Sequence, residues 1–150
     1  MRTFTASTIA AAGPEAVLDV LTDPDACRRW APMPFDVSGL ADDRLRAGSR
    51  ARVTGKLAGM RVGFDVDVHE AHDRRLELSA SGPVAFDVAY DIGARDDGAE
   101  VRASISVRPG RGFQGRLMAQ ATEALLAAGA LQAAMGRIVR EATEAAAATA

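Results

Sequence analysis

The spacing of hydrophobic and polar residues changes along the chain, and each change predicts a different kind of element. Residues 3–10 are rich in threonine and carry two large apolar residues, which is typical of a first strand. From residue 35 to residue 109, apolar and polar positions alternate with a period of two. From residue 113 to about residue 146, the apolar positions follow a helical period of about 100° per residue. The sequence therefore predicts one strand, a block of strands and a long terminal helix.

Two short helices are predicted between the first strand and the block of strands. Gly13 precedes Pro14, and proline favours the first position of a helix. Asp23 precedes Pro24 in the same way, and an aspartate side chain can cap the helix that follows it. The second helix must end before Pro32, so it is predicted to be short.

The strands in the block each have one apolar and one polar face, which is typical of an antiparallel sheet covered on one side. If residues 58 and 59 form a two-residue turn, Arg50 lies opposite Asp67 and Arg52 lies opposite Asp65. Two opposite-charge pairs that follow from one assumed turn support this register.

The last hairpin of the block fits two registers. A turn at residues 96–97 places Asp91 opposite Arg102. A turn at residues 97–98 has the better turn chemistry and places Asp91 opposite Ser104 instead. The pattern alone does not choose between them.

The terminal segment predicts an amphipathic helix of about 30 residues, about 45 Å long. A helix this long and this thinly apolar is not stable alone, so its apolar stripe must lie on the sheet. Because strands run together and helices are segregated, residues 1–150 are predicted to form one α+β domain, with a curved antiparallel sheet wrapped around the long helix. The predicted stripe consists of Leu117, Ala121, Ala124, Ala128, Leu131, Met135, Ile138 and Ala142.

Composition and charge exclude several classes of function. At 150 residues and 48% hydrophobic, the chain can bury a substantial core as one domain. The net charge of -2 gives no general attraction to nucleic acid, and no apolar run of about 18 residues predicts membrane insertion. Cys27 is the only cysteine, so no intrachain disulfide can form. We therefore expect a cytoplasmic protein that neither binds nucleic acid nor inserts into a membrane.

Three short motifs in this order resemble the START-type helix-grip superfamily, also described as polyketide cyclase/dehydrase and lipid transport (SRPBCC). They are Thr-Ile-Ala-Ala-Ala-Gly-Pro-Glu-Ala-Val from Thr8, Leu-Thr-Asp-Pro-Asp from Leu21, and Arg-Trp-Ala-Pro ending at Pro32. The resemblance covers nearly the whole chain. It implies a START-like domain in which a seven-stranded antiparallel sheet grips the long helix, with a cavity for an apolar ligand between them. It implies no single activity and carries over no catalytic residue, because members include carriers, cyclases, hydrolase-like enzymes and protein-binding modules.

The implied cavity would be lined by the apolar faces of the strands and the helix. A pocket of this kind selects an apolar ligand by its shape. The same residues could instead fill a solid core. The candidate ligand-binding residues are Trp30, Phe35, Met60, Phe64, Phe86, Tyr90, Leu117, Ala121, Leu125 and Ala128.

The apolar faces carry almost no ionisable side chain, which argues against acid–base catalysis. Tyr90 is the only tyrosine, and a buried phenol needs a partner in protein, water or ligand. His69 and His72 lie at a predicted strand end without a zinc-binding spacing, and Cys27 is predicted to be a packed thiol. We therefore assign no catalytic residue and predict no metal site and no cofactor.

Three functions remain open at this stage. The first is binding of a hydrophobic small molecule, lipid or polyketide-like, between the sheet and the C-terminal helix. The second is an aromatic polyketide cyclase or dehydrase that uses Tyr90, and the third is a protein or RNA interaction module that uses the arginine-rich hairpin. Leu126 is predicted to point away from the sheet, where it could contact a second copy in a homodimer.

Overall fold

The computed structural model describes residues 2–31, 35–41, 43–57, 59–72, 74–110 and 112–149. The elements in chain order are β1 (Arg2–Ala10), α1 (Pro14–Thr22), α2 (Pro24–Trp30), β2 (Phe35–Ser38), β3 (Arg50–Leu57), β4 (Met60–His72), β5 (Arg75–Ser81), β6 (Ala85–Arg95), β7 (Gly98–Arg108), α3 (Gly112–Ala127) and α4 (Ala130–Thr149).

The seven strands form one curved antiparallel sheet in the order β1-β7-β6-β5-β4-β3-β2. Helices α1 and α2 lie between the first two strands of the chain, and α3 and α4 follow the last strand. All four helices approach the sheet, and α4 packs on both β1 and α1. The predicted α+β helix-grip class is confirmed. The face of the sheet that the helices cover is called the inner face below.

The predicted starts of the two short helices are confirmed. Gly13 is the N-cap of α1, and Pro14 follows it at the first helical position. At the start of α2, the Asp23 Oδ1 accepts a hydrogen bond of 3.0 Å from the backbone N–H of Asp25. The indole N–H of Trp30 donates to the backbone carbonyl of Val20 at 3.1 Å, so the end of α2 is attached to α1.

The predicted register of the β3–β4 hairpin is also confirmed. Leu57 pairs with Met60, as this register requires, and residue 58 of the predicted turn lies outside the described residues. Two ion pairs cross the outer face of this hairpin, Arg50 to Asp67 at 3.1 Å and Arg52 to Asp65 at 3.0 Å. These two arginines are therefore already neutralised within the sheet.

The last hairpin adopts the register with a turn at residues 96–97, so that Asp91 lies opposite Arg102. The alternative turn at 97–98 is better by local chemistry alone, but Gly98 has another role. It begins β7 beside β1, and a Cβ at this position would lie 1.9 Å from the Ala10 carbonyl oxygen. Close approach of two strands therefore explains this glycine.

The terminal helical segment forms two helices rather than the one predicted. α3 ends at Ala127 and α4 begins at Ala130, with Gly129 between them at a φ of 97°. This left-handed conformation is one that glycine tolerates and other residues disfavour. The break changes the helical phase, so a single stripe cannot describe both helices.

The predicted stripe is correct in α4 and wrong in α3. Met135, Ile138 and Ala142 of α4 have no exposed surface. In α3, however, Leu117 is 42% exposed, and the predicted outward residue Leu126 packs against the core. The buried positions of α3 are Gly115, Met118, Ala119 and Thr122.

Buried side chains on the inner face form two separate clusters. The large cluster packs α1, α2 and α4 on one half of the face, and its members include Leu21, Leu76 and Ile138. The small cluster packs α3 on the other half, and it consists of Val62, Val84, Val107, Met118 and Ala119. The boundary between the clusters is where the candidate site lies.

Candidate functional site

A row of half-buried apolar residues crosses the inner face between the two clusters. Phe4 on β1 lies opposite Ile105 on β7, Ile105 lies opposite Val88 on β6, and Val88 lies opposite Leu78 on β5. All four are half-buried, and within the described chain Ile105 belongs to neither cluster. These four residues are called the middle row. At about 4.8 Å between neighbouring strands, the row is about 14 Å long.

Two aromatic pairs stand on either side of the middle row. Side chains two residues apart on a strand share a face, so Phe86 and Tyr90 of β6 flank Val88. Tyr90 makes an edge-to-face contact with Trp30, with ring centroids 6.3 Å apart. Phe86 makes a tilted contact with Phe64 at 5.3 Å. Four of the aromatic residues singled out from the sequence therefore occur as two pairs on opposite sides of the row.

The Tyr90 hydroxyl is a polar group in apolar surroundings. The residue is only 6% exposed, and its hydroxyl makes no hydrogen bond to another described residue. Every deeply buried side-chain oxygen or nitrogen in the described chain has a hydrogen-bond partner. The Tyr90 oxygen has none among the described residues, so it is not deeply buried and must border space that a water molecule can enter. Burial raises the pKa of Tyr90 above its usual value, and the nearby Cys27 adds to the effect. The phenol is therefore neutral at physiological pH and can donate a hydrogen bond.

Helix α3 packs on the small cluster, and one side of this helix, called the open side below, remains partly exposed. The Glu123 carboxylate lies 3.8 Å from the Arg2 guanidinium, so this side of α3 faces β1. Ala121 and Leu125 lie about 200° from Glu123 around the helix, on the side away from β1. Ala121 is half-buried, Leu125 is 42% exposed, and α3 also approaches β3. The open side of α3 therefore lies between this helix and the far strands of the sheet.

The remaining predicted ligand contacts lie at the rim or on the surface. Phe35 of β2 is half-buried and borders an open groove of about 640 Å³. Met60, at the end of the β3–β4 hairpin, is 37% exposed. Leu117 of α3 and Ala128, just after that helix, are exposed as well. The structure thus groups the predicted residues into two inner aromatic pairs and an outer rim.

His69, His72 and Arg75 lie on the outer face and contact neighbouring polar or charged side chains. His69 Nε2 lies 2.9 Å from the Ser79 hydroxyl, and His72 Nε2 lies 3.3 Å from the Glu70 carboxylate. Arg75 is hydrogen-bonded to Asp91, which raises the pKa of its guanidinium further. None of these contacts places an acid or a base beside the middle row.

Cys27 of α2 is buried, and its thiol donates to the Leu21 carbonyl at 3.4 Å. Burial raises the pKa of this thiol to about 12, with a further contribution from Asp23. A thiol with this pKa is protonated at neutral pH and is a poor nucleophile. Among the residues that the structure describes, no group of three or more histidine, cysteine, aspartate and glutamate side chains is placed to hold a metal ion. No described helix is long and apolar enough to cross a bilayer.

The four residues of the middle row occupy apolar positions of the predicted strands, but they were not among the candidate ligand-binding residues. Every inner-face residue of β6 and β7 has the same apolar pattern, so the pattern does not reveal which positions the helices leave half-buried. Counting outward from correctly placed turns would have aligned Val88 with Ile105 and Leu78. The registers therefore contain the signal for the row, and the helix positions supply the rest.

The same fold occurs in solved structures of low sequence identity. TTHA0849 from Thermus thermophilus aligns with a TM-score of 0.74 over 96% of this chain and 99% of its own, at 15% identity. CV1439 from Chromobacterium violaceum aligns with a TM-score of 0.69 over 93% of this chain and 96% of its own, at 16% identity. DynU16, from the dynemicin biosynthetic locus, has a TM-score of 0.60 over 92% of this chain and 46% of its own, at 19% identity. At these identities the likeness shows the fold alone.

No curated protein sequence matches this chain. A family description does match, and the match extends over residues 1–143. That range includes all seven strands and most of α4. The resemblance drawn from the three motifs is therefore confirmed. The chain belongs to the family described as polyketide cyclase / dehydrase and lipid transport.

Proposed function

We propose that the protein binds a hydrophobic small molecule, a lipid or a polyketide-like aromatic compound, along the middle row. The observation that carries the proposal is that four apolar residues in a row from β1 to β5 are only half-buried, although the two clusters that they border are buried. Covering apolar surface is favourable by about 25 cal/mol per Å². A ligand on this row would therefore gain burial that the protein alone does not provide.

The wider context supports the same proposal. The family description includes lipid transport, and DynU16 comes from a biosynthetic locus. The open side of α3, with Ala121 and Leu125, offers a path to the row from outside. Binding sites for small molecules are typically apolar, with a few polar groups that fix orientation.

The polar group of this site is the Tyr90 hydroxyl. It lies at one side of the row, has no partner in the described chain, and is kept protonated by its raised pKa. We expect the bound molecule to present an acceptor oxygen to this donor. A cyclase would need an acid or a base that exchanges protons with its substrate near neutral pH, and a phenol that is always protonated suits hydrogen-bond donation better. Binding without catalysis is thus the function that the geometry favours.

Filling the row tests the site. Ile105→Trp should place a large side chain where the ligand lies, and the affinity for a fluorescent fatty acid should fall by at least tenfold in a fluorescence titration. Ser106→Trp is the matched control, because residue 106 is adjacent on β7 and faces the other side of the sheet. Equal affinities in both variants, with both folded by circular dichroism, would contradict the site.

Removing the hydroxyl tests the polar contact. Tyr90→Phe should weaken binding of a ketone-bearing aromatic probe roughly five- to tenfold, which is the size of one hydrogen bond. Binding of the matching hydrocarbon should be unchanged, because it offers no acceptor. If instead the wild-type protein turns over an aromatic polyketide and Tyr90→Phe abolishes that turnover, the cyclase hypothesis replaces this one.

A further inference from the structure

The outer side of α3 carries an exposed apolar stripe beside the entrance to the site. Phe113 is 77% exposed and Leu117 is 42% exposed, and both point away from the buried side of the helix that carries Met118. Among the described residues, these two side chains are not members of either core cluster and are not packed against one. Met60, at the end of the β3–β4 hairpin, adds a third exposed apolar side chain.

The hairpin end and α3 are neighbours in the fold. Val62, two residues after Met60 on β4, is in the same small cluster as Met118 of α3. Helix α3 also approaches β3, the other strand of the hairpin. The three exposed apolar side chains therefore belong to one end of the molecule, next to the open side of α3.

Three basic residues border this end. Lys56 and Arg61 lie directly opposite each other on the outer face, near the tip of the hairpin, and like charges in this position destabilise a strand pair. Arg116 precedes Leu117 on α3, and all three side chains are exposed. Asp36 lines the same groove as Lys56 and Arg61, but within the described ranges no carboxylate lies within ion-pair distance of any of the three basic residues. A net positive charge is therefore available to an external anion.

The arginines on the rest of the molecule are mostly neutralised, which makes the contrast informative. The chain has a net charge of -2, yet positive charge is left without an ion-pair partner beside Phe113, the most exposed large apolar side chain of the described chain. Arginines that form ion pairs with carboxylates include Arg29, Arg44, Arg50, Arg52, Arg75, Arg102 and Arg108.

From this juxtaposition we propose that the hairpin end and the outer side of α3 dock on the surface of an anionic lipid bilayer. Phe113, Leu117 and Met60 enter the headgroup region, while the basic residues contact lipid phosphates and carboxylates. Exchange of the ligand between the bilayer and the middle row would rest on the proposed function, but the docking itself does not. These six residues, Met60, Phe113, Leu117, Lys56, Arg61 and Arg116, are called the docking face.

A bilayer fits this face better than a second copy of the chain does. In a two-fold symmetric dimer the same patch meets itself, so the basic residues of one copy would lie against a patch that carries the same basic residues. Like charges brought together in this way repel, whereas an anionic surface attracts all three at once. An apolar stripe bordered by basic residues is the composition that lies at a bilayer interface.

Co-flotation with vesicles tests the docking. The wild-type protein should bind vesicles of phosphatidylcholine with phosphatidylserine, bind phosphatidylcholine alone much more weakly, and dissociate as salt is raised. The double variant Lys56→Gln/Arg61→Gln should bind about 30-fold more weakly, because each basic residue near an anionic surface contributes about fivefold. Phe113→Ser should lower binding about tenfold by removing the largest inserted side chain.

A charge-matched control removes two exposed arginines elsewhere, in Arg74→Gln/Arg140→Gln. Arg74 follows the far end of β4, about 40 Å from Met60 as measured along the strand at about 3.3 Å per residue over 12 residues. This control should bind vesicles like the wild type. The docking proposal is overturned by equal losses in the two double variants, by equal binding to both lipid mixtures, or by no binding at all. It is also overturned if ultracentrifugation finds a dimer that Phe113→Ser dissociates.

The docking and ligand proposals fail separately. The docking variants keep the middle row intact, so their affinity for the fluorescent fatty acid in solution should equal that of the wild type. Conversely, Ile105→Trp should still bind anionic vesicles. Loss of one property without the other therefore shows which of the two proposals is wrong.

Discussion

The two C-terminal helices differ in how completely they are attached to the sheet. α4 buries Met135 and Ile138 completely, and Arg137 donates from its Nε to the Trp30 carbonyl at 2.8 Å. α3 keeps Leu125, which lies seven residues from the buried Met118 and so close to the buried side of the helix, 42% exposed. The half of the inner face under α4 is therefore closed, and the half under α3 is closed only in part. The difference indicates that α4 supports the stability of the fold, while α3 borders the open side of the proposed site.

Truncating one large residue on each helix gives the largest expected effect. Ile138→Ala in α4 should lower the free energy of unfolding by about 2–5 kcal/mol, because it leaves a cavity in the large cluster. Leu125→Ala in α3 should lower it by less than about 1 kcal/mol, because this side chain is already 42% exposed. Urea denaturation followed by circular dichroism measures both. Equal losses would mean that the two helices contribute equally to stability.

The single thiol offers a second comparison through the pH dependence of stability. Burial raises the pKa of Cys27 to about 12, whereas the thiol of the unfolded chain ionises near about 8.5. Above a pH of about 8.5 the unfolded state therefore binds fewer protons than the folded state. The contribution of the protonated Cys27 thiol to the free energy of unfolding is complete below this pH. It is lost as pH rises towards 12, by about 1.4 kcal/mol per pH unit. Between about pH 7 and about pH 10, the free energy of unfolding should fall by about 2 kcal/mol.

The control for this prediction moves the thiol from the closed half to the open half. In Cys27→Ala/Leu117→Cys, the new thiol is on the exposed side of α3 and should ionise alike in both states. Its contribution to the slope between about pH 8.5 and about pH 10 should vanish. If the slope persists in this variant, a group other than the Cys27 thiol causes it. The pH dependence would then give no evidence for a difference between the two halves.

Charge pairs and proline positions in the sequence predicted the parts of the fold that depend on local chemistry. Arg52 opposite Asp65 required one register of the hairpin, and the structure has that register. Asp23 and Pro24 began a helix because a cap and a fixed φ act within a few residues. The last hairpin could not be settled in this way, because the position of Gly98 depends on the neighbouring strand β1.

The phase of α3 could not be predicted, because its alanines make several stripes nearly equivalent. Ala121, Ala124 and Ala128 add little apolar area to whichever side they lie on, so a few large residues decided the stripe. Carrying that stripe through from α4 ignored the change of phase at Gly129. The aromatic residues of the site were identifiable by type, but the middle row depends on where α3 and α4 leave the sheet uncovered.

The break between the helices can itself be tested with two glycines. In one continuous helix, Gly129→Ala would stabilise the protein by about 1 kcal/mol, because glycine is a poor helix former. With Gly129 at a φ of 97°, alanine is strained instead, and we expect a destabilisation of about 1 kcal/mol. Gly136, inside α4, is the control, and Gly136→Ala should stabilise by about 0.5–1 kcal/mol. An added Cβ would meet no described atom within 4 Å at either site, so the opposite signs would come from the backbone alone. Stabilisation by both substitutions in urea denaturation would mean that α3 and α4 form one helix, and the unequal burial of the two halves would then need another cause.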